Sequence, residues 1–427
     1  MMNREFSPVE WSLNTNIYEV NVRQYTPEGT FKAFQEHIPR LREMGVDTLW
    51  FMPITPIATE TRHGSLGSYY ACSSYTEINP EFGNIDDFRN LVQEAHNLGM
   101  KVIIDWVANH TGWNHEWTIS NPGFYKRNAE GNFYDAHGWA DVIDLNYYDH
   151  SMRREMVAAM RYWVDTCDLD GFRCDMAHLV PYDFWRSARI QLDAIKPLFW
   201  LAESDDPNYL DVFDVGYAWQ WMHRTEKYFR EQIDLAEMNA VLKIYDEQYP
   251  RGSRHLFFTT NHDENSWNGT EYEKYGEAAR ALAVFSYTWN GVPLVYSGQE
   301  IPNTTRLKFF DKDQLDFSGE CKLHDFYRSL NNFRKKHPVF TDYPMITPTV
   351  IHAESDQQVF CYHKRVASAD MLVVLNFSGK THTLEMPSGL LRGNYQSVLD
   401  SRNFTFDDTV RIEAGPWDAL VISNHTS

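Results

Sequence analysis

The chain has 427 residues, 43% hydrophobic and 23% charged, with a formal net charge of −20. That length is too great for one small core and suits a domain of about 250 residues or more with a smaller companion. The composition is that of a soluble globular protein, and the acidic balance argues against a nucleic-acid partner while suiting a neutral or cationic ligand.

Cysteines at 72, 167, 174, 321 and 361 form no CxxC pair, which argues against a disulfide framework or a zinc site. No run approaches the length of a membrane span, and MMNREFSPVEW has no apolar leader core. No membrane partner is expected, and a cytoplasmic location is.

The predicted elements alternate along the chain. NIYEVNV (16–22) has the look of a strand. Phe34, Ile38 and Leu41 then mark a helix face that Gly45 ends, with a kink expected at Pro39. TLWFMPI is a continuous apolar strand, and Phe88, Leu91, Val92, Ala95 and Leu98 share one face of a helix stopped by Gly99. KVIIDWV follows, then a helix through Met152, Met156, Ala159 and Trp163, then GFRCDM. Trp185, Ala188, Leu192 and Ile195 mark another helix before LFWLAES, and VFDVGYAW, HLFFTTNHD and VPLVYSGQE complete the series.

Short apolar strands without alternation indicate burial on both faces, hence a parallel sheet. Eight such units predict a (β/α)8 barrel over residues 1–110 and 149–340. An open doubly wound sheet is the rival, but no Gly-rich phosphate loop follows any strand. Residues 111–148, aromatic and rich in Gly and Asn, form a long insertion after the third strand, a length that usually carries function. From 341 to 427 the helical pattern stops and short strands with turn residues predict a β-sandwich.

Functional side chains of such a barrel stand at the C-terminal ends of its strands. Asp105, Asn109 and His110, then Arg173 and Asp175, then Glu203, then Asn261, His262 and Asp263 occupy those positions. Arg173 and Asp175 share a strand face, so the cation can hold the carboxylate ionised. Acids at three strand ends, with an arginine and histidines beside them, suit glycoside hydrolysis, in which one carboxylate attacks and a carboxylic acid protonates the leaving oxygen. A metal-centred hydrolase would need tighter His and acid spacing.

DWVANH (105–110), GFRCDMAH (171–178), Glu203 in WLAES, and NHD (261–263) resemble, in order, the four motifs of the α-amylase family, glycoside hydrolase family 13. INPEFG, VIDLN and GVPLVYSGQE resemble its auxiliary motifs, and the likeness spans about residues 15–340. The resemblance implies Asp175 as nucleophile, Glu203 as general acid/base and Asp263 as the carboxylate that grips sugar hydroxyls. It also implies Arg173 as the residue orienting Asp175, His110 and His262 as sugar-binding groups, and Tyr70 as a stacking ring, with Tyr69 as the neighbouring alternative. The apolar LFWLA before Glu203 should raise its pKa, since no arginine is adjacent in sequence.

Many family members carry Lys-His three and four residues after the nucleophile, where this chain has His178 and Leu179. His178 is therefore expected to border the acceptor side, its weaker charge favouring water over a sugar acceptor. The resemblance further implies a possible calcium site on Asn109 and Asp144, and no organic cofactor. The implied activity is retaining hydrolysis of α-1,4-linked glucose chains or maltooligosaccharides. The alternatives are a glucanotransferase or maltosyltransferase on the same scaffold and a non-catalytic carbohydrate-binding relative. Oligomeric state is left open.

Overall fold

The computed structural model describes residues 5–341, 346–352, 358–367, 369–407 and 410–425. The expected domain boundary at 340/341 abuts residues 342–345, which lie outside the described residues, as do the first four residues of the N-terminal stretch.

Eight parallel strands close into a barrel: β1 (Ile17–Val20), β2 (Thr48–Phe51), β3 (Lys101–Trp106), β4 (Gly171–Cys174), β5 (Phe199–Ala202), β6 (Val215–Tyr217), β7 (Arg254–Phe257) and β8 (Val292–Tyr296). Each pairs with the next in sequence, and β8 returns to β1 with Leu294 opposite Ile17. All eight are the strands expected from their apolar runs.

Side chains alternate about the barrel wall, as strand pleating requires. Ile17, Trp50, Ile103, Phe199, Leu201, Val215, Leu256 and Leu294 fill the interior, while Tyr18, Leu49, Phe51, Ile104, Phe172 and Trp200 pack outward in the larger core that includes the helices. Gly171 opens β4 because a Cβ there would stand 2.1 Å from the Phe199 carbonyl oxygen.

The helices follow their caps. Asn84 and Asp87 form a capping box at Ile85–Asn97, and Gly99, at φ +73°, lies just past that helix. Asp149 caps His150–Cys167 through the amides of Ser151 and Met152. The kink expected at Pro39 is a full break between Phe31–Gln35 and Ile38–Glu43, with the proline in the first turn where a missing N–H is harmless. Ile195 departs from expectation: its helix ends at Asp193 and its side chain is exposed, so its place in the apolar period did not bury it. No helix among the described residues is long and apolar enough to cross a membrane.

The insertion after β3 has structure of its own. His110–Gly112 pairs antiparallel with Val142–Asp144, and a short helix spans Glu116–Ser120. At the C-terminus a six-stranded antiparallel sheet faces a two-stranded one, and a shared apolar core of Leu372, Val374, Leu384, Ile412 and Leu420 fills the space between them. Three of these strands, Thr349–His352, Asn403–Phe406 and Val410–Ala414, were not anticipated from the sequence; each leaves part of its length exposed.

Candidate active site

Register brings the charges together. Asp105 lies directly opposite Arg173 across β3 and β4, and Cys174 opposite Ala202 across β4 and β5. The ladder continues one residue further: the Asp175 amide donates to the Trp106 carbonyl at 3.0 Å and the Glu203 amide to the Cys174 carbonyl at 3.0 Å. Asp175 and Glu203 therefore leave their strands at the same level.

Arg173 is fully buried and is the hub. Its Nη1 donates to Asp105 Oδ1 and to Asp175 Oδ1, each at 2.9 Å, and its Nε to Tyr217 Oη at 3.1 Å. Its Nη2 stands 3.0 Å from Glu203 Oε2, an ion-pair contact without hydrogen-bond alignment. The guanidinium also lies over the rings of Trp50 and Tyr217 at 5.1 and 5.5 Å. The cation that pairs with Asp175 in sequence thus serves three carboxylates in space.

Burial sets the protonation, and the shared cation offsets it only in part. Burial pushes the Glu203 carboxyl up to about 7; Arg173 opposes the shift and the Asp175 charge adds to it. Burial likewise raises Asp175 and Asp105, and Arg173 only partly offsets this. The expectation that Arg173 simply holds Asp175 ionised is corrected to this extent: one cation is divided among three acids. The raised pKa of Glu203 follows from burial as expected, although an arginine distant in sequence does stand beside it.

A second cation completes the balance. Burial disfavours charge on His262, but Asp263 and Glu19 more than reverse this and hold its pKa well above the usual histidine range. Its Nε2 lies 3.3 Å from Asp263 Oδ2 and its Nδ1 faces Glu19. Burial pushes Asp263 up, and His262 with Arg173 brings it below the ordinary aspartate value. Asp263 is 37% exposed and faces the open cavity.

Tyr70 places its hydroxyl 3.0 Å from Asp105 Oδ2 and 2.6 Å from His262 Nε2, with its ring stacked on His262 at 5.4 Å. Tyr69 is turned inward to Asn21 under the Arg23 guanidinium. His110 borders the cavity edge-on to Trp139, and burial lowers its pKa to about 4, leaving it neutral at pH 7. Glu203 Oε2 also accepts the Met176 amide at 2.8 Å; Met176 has φ +41°, a left-handed conformation that aims this N–H.

These groups line a cavity of about 350 Å³ that includes Asp175, Glu203, Asp263, Tyr70 and His110, at the low end of ligand-site volumes. His178 does not line it. It is exposed in the single turn after Met176, neither in the cavity nor packed beneath the following helix. Residues the sequence reading did not single out are Trp139, Asp141, Trp267, Phe309 and Phe310 in the wall, and Glu19 behind His262. A lone acid inside the apolar strand NIYEV was the available signal for Glu19; the aromatic wall has no local signature.

At the insertion, Asn109 and Asp144 are neighbours through the hairpin, where Leu145 N donates to the Asn109 carbonyl at 3.0 Å. The Asn109 amide nitrogen lies 3.1 Å from His110 Nδ1. Asp144 Oδ2 is held by Lys126 Nζ at 2.9 Å, while its buried Oδ1 has no hydrogen-bond partner among the described residues. Asp135, His137 and Asp144 bring one ligand atom each within 4.8 Å of one another and could hold a metal ion. Two carboxylates with an imidazole suit a divalent cation, though calcium prefers an all-oxygen shell.

Known proteins resemble this chain in sequence and in fold. The family model for the α-amylase catalytic domain matches residues 11–137 and 120–194. The crystal structure of a noncanonic maltogenic α-amylase, AmyB from Thermotoga neapolitana, is 31% identical, with 97% of this chain and 100% of that chain covered and a TM-score of 0.89. The crystal structure of an α-amylase from Lactobacillus plantarum is 27% identical, with 97% and 99% covered and a TM-score of 0.87. The α-amylase MalA of Haloarcula japonica is 27% identical over 94% of this chain, which spans 62% of that protein's length.

Proposed function

The chain belongs to the α-amylase family, and from that premise we propose that it is a retaining glycosidase hydrolysing α-1,4-linked glucose chains of maltooligosaccharide or starch type. The observation that carries this is the pairing, at one level of the barrel mouth, of Glu203, which burial pushes up to about 7, with a second carboxylate, Asp175, both in contact with Arg173.

Asp175 attacks the anomeric carbon and forms a glycosyl ester as the C–O bond to the leaving sugar breaks. Glu203 gives its proton to that departing oxygen. Glu203, now a carboxylate, takes a proton from water, whose oxygen bonds to the anomeric carbon and releases Asp175. Asp263 accepts hydrogen bonds from sugar hydroxyls, while cationic His262 and neutral His110 flank the ring and Tyr70 offers its face. Arg173 positions Asp175 and Glu203 through Asp175 Oδ1 and Glu203 Oε2. The presence of all three acids in one cavity favours catalysis over a purely sugar-binding role.

Transfer to a sugar is the competing outcome. Exposed His178, outside the cavity, supplies no fixed group for an acceptor sugar, which supports water as the partner. Incubation with pure maltotetraose tests the reading: shorter sugars with one new reducing end per bond cut are expected. Longer oligosaccharides with no rise in reducing ends would replace hydrolase by transferase.

For calcium, the unpartnered Asp144 Oδ1 supports a cation, and Lys126 competes for the same carboxylate. Asp144, Asp135 and His137, with Asn109 alongside, would hold it, and it would brace the insertion against the end of β3. Its role on this reading is structural. The five cysteines are free, four of them buried, which supports the cytoplasmic reading.

A further inference from the structure

The walls of the cavity are unequal around the barrel rim. The loop after β7 carries Trp267, whose ring lies 5.3 Å from Phe309 and 5.6 Å from Phe310 in the loop after β8. The same two loops are joined where Leu307 N donates to Asn265 Oδ1 at 2.8 Å. The loop after β8 is fastened to the loop after β2: the Phe310 carbonyl accepts from Leu66 and Gly67 amides, and Asp311 Oδ1 accepts from the Ser65 amide and hydroxyl at 2.7 and 2.6 Å. Buried Arg23, after β1, donates to the carbonyls of Gly67 and Phe309 and pairs with Glu81, locking three loops at once. The loop after β2 reaches the insertion after β3, with His63 Nε2 4.0 Å from Asp141 Oδ1 and the His63 ring 5.3 Å from Phe310. Gly112 of the insertion packs so closely on that loop that a Cβ would stand 2.1 Å from Ala58 Cβ.

A continuous rim therefore runs over β7, β8, β1, β2 and β3. From the remaining sector, over β4 to β6, only Asp175, Met176 and Glu203 line the cavity. The chemistry orients a substrate in it. The leaving oxygen must meet Glu203, so the sugar released first departs toward β5. The ring that becomes bound to Asp175, and everything attached to its non-reducing side, faces Asp263 and the Trp267–Phe310 wall.

We propose that this rim makes the glycone side a blind pocket, so that the enzyme works from the non-reducing chain end and removes a fixed unit of one or two glucose residues. This rests on the glycosidase reading above. A cavity of about 350 Å³ is bounded on that side by Trp267, Phe309, Phe310 and Asp141. The aromatic faces supply platforms for the one or two sugars that enter.

The test compares two substrates that differ only at the far end: nitrophenyl maltoheptaoside with a free non-reducing end, and the same compound carrying a 4,6-O-ethylidene bridge on its terminal glucose. Nitrophenyl fragments are followed by chromatography. The free compound should lose one or two glucose units first, and the blocked one should be cut at least 100-fold more slowly. Blocked substrate cut within tenfold of the free one, or a first product mixture of every length, would overturn the proposal while leaving hydrolysis intact. If the free compound is not cut at all, the glycosidase reading itself fails. Trp267→Ala/Phe310→Ala should restore cleavage of the blocked compound by tenfold or more relative to the free one. A folded double variant that still rejects it equally well would remove the rim as the cause.

Discussion

Two aspartates flank the same short strand and meet opposite fates. Asp170 stands just before β4 and Asp175 just after it, and both are buried. Around Asp170 the donors are in surplus: Lys101 Nζ at 3.1 Å, Lys196 Nζ at 3.5 Å, His96 Nε2 at 2.7 Å and the Val102 amide at 2.9 Å. Burial alone would raise its pKa, but His96 and the other donors bring it below the ordinary value. Around Asp175 the acids are in surplus, with Arg173 shared, and burial prevails. The N-terminal end of the barrel uses its charge to hold the wall together, and the C-terminal end keeps its acids under-compensated. Proton transfer needs that second condition, because a fully neutralised carboxylate is a poor acid near neutral pH.

The sharpest way to break the comparison is to neutralise each aspartate. Asp175→Asn should lower kcat/KM by about 10⁴-fold or more, since catalytic groups of this kind act as a unit. Its raised pKa means that the ionised form costs the fold stability as pH rises through that pKa, so the variant should melt at or above wild type at pH 8. Near-normal turnover of the purified variant would remove Asp175 from the mechanism.

Glu203→Gln should slow natural glucans by about 10²–10⁴-fold. Glycosides with good leaving groups need no proton and should be nearly spared in the glycosylation step. Equal losses in single-turnover experiments would place the acid elsewhere.

Asp170→Asn should give the opposite signature to Asp175→Asn. Stability should fall by about 2 kcal/mol as the surrounding cations lose their counter-ion, with kcat/KM of the folded enzyme at wild-type level. Asp170 has a lowered pKa, so its contribution is present above the unfolded aspartate pKa and is lost as pH falls through the folded one. The difference in denaturation midpoint between wild type and variant should therefore vanish in strong acid. A large loss of turnover with unchanged stability would show that the two ends are not separate in function.

Glu203 must be protonated to act, and burial places its pKa at about 7. The free-enzyme kcat/KM should therefore decline above about pH 7, by about tenfold per pH unit, and this basic limb should disappear in Glu203→Gln. A flat profile to pH 9 would contradict the assignment.

Asp144 sits between the two cases, with Lys126 on one oxygen and, among the described residues, no hydrogen-bond partner on the other. Lys126→Met should raise the stabilisation by added calcium, read as the difference in melting midpoint between calcium and chelator. The expected gain is about 1 kcal/mol, modest because Lys126 is 37% exposed. An unchanged difference would mean that no cation uses Asp144.

Much of this was legible beforehand because strand side chains repeat every two residues and barrel strands end at one face. The runs ending in Asp105, Arg173–Asp175, Glu203 and His262–Asp263 each declared a polar strand end within an apolar strand. What stayed hidden was their sharing. Nothing near Glu203 in sequence announces Arg173, 30 positions earlier, or shows that His262 draws its charge from Glu19 in the first strand. The three unpredicted C-terminal strands failed for a related reason: an edge or half-exposed strand needs less apolar sequence than a central one. His178 looked significant only by its place after the nucleophile, and the turn that carries it leaves it in solvent.

The sequence by itself determined the order of strands and helices, the barrel, and which acids stand at the strand ends, because these follow from local periodicity and from the burial each run requires. Only the tertiary structure decided how one arginine is divided among three carboxylates, which rings wall the cavity and which loops are fastened across it. Those are contacts between residues up to nearly 300 positions apart, such as Arg23 with Phe309. Their strength depends on distance and burial in space, and neither is written in any local stretch of the chain.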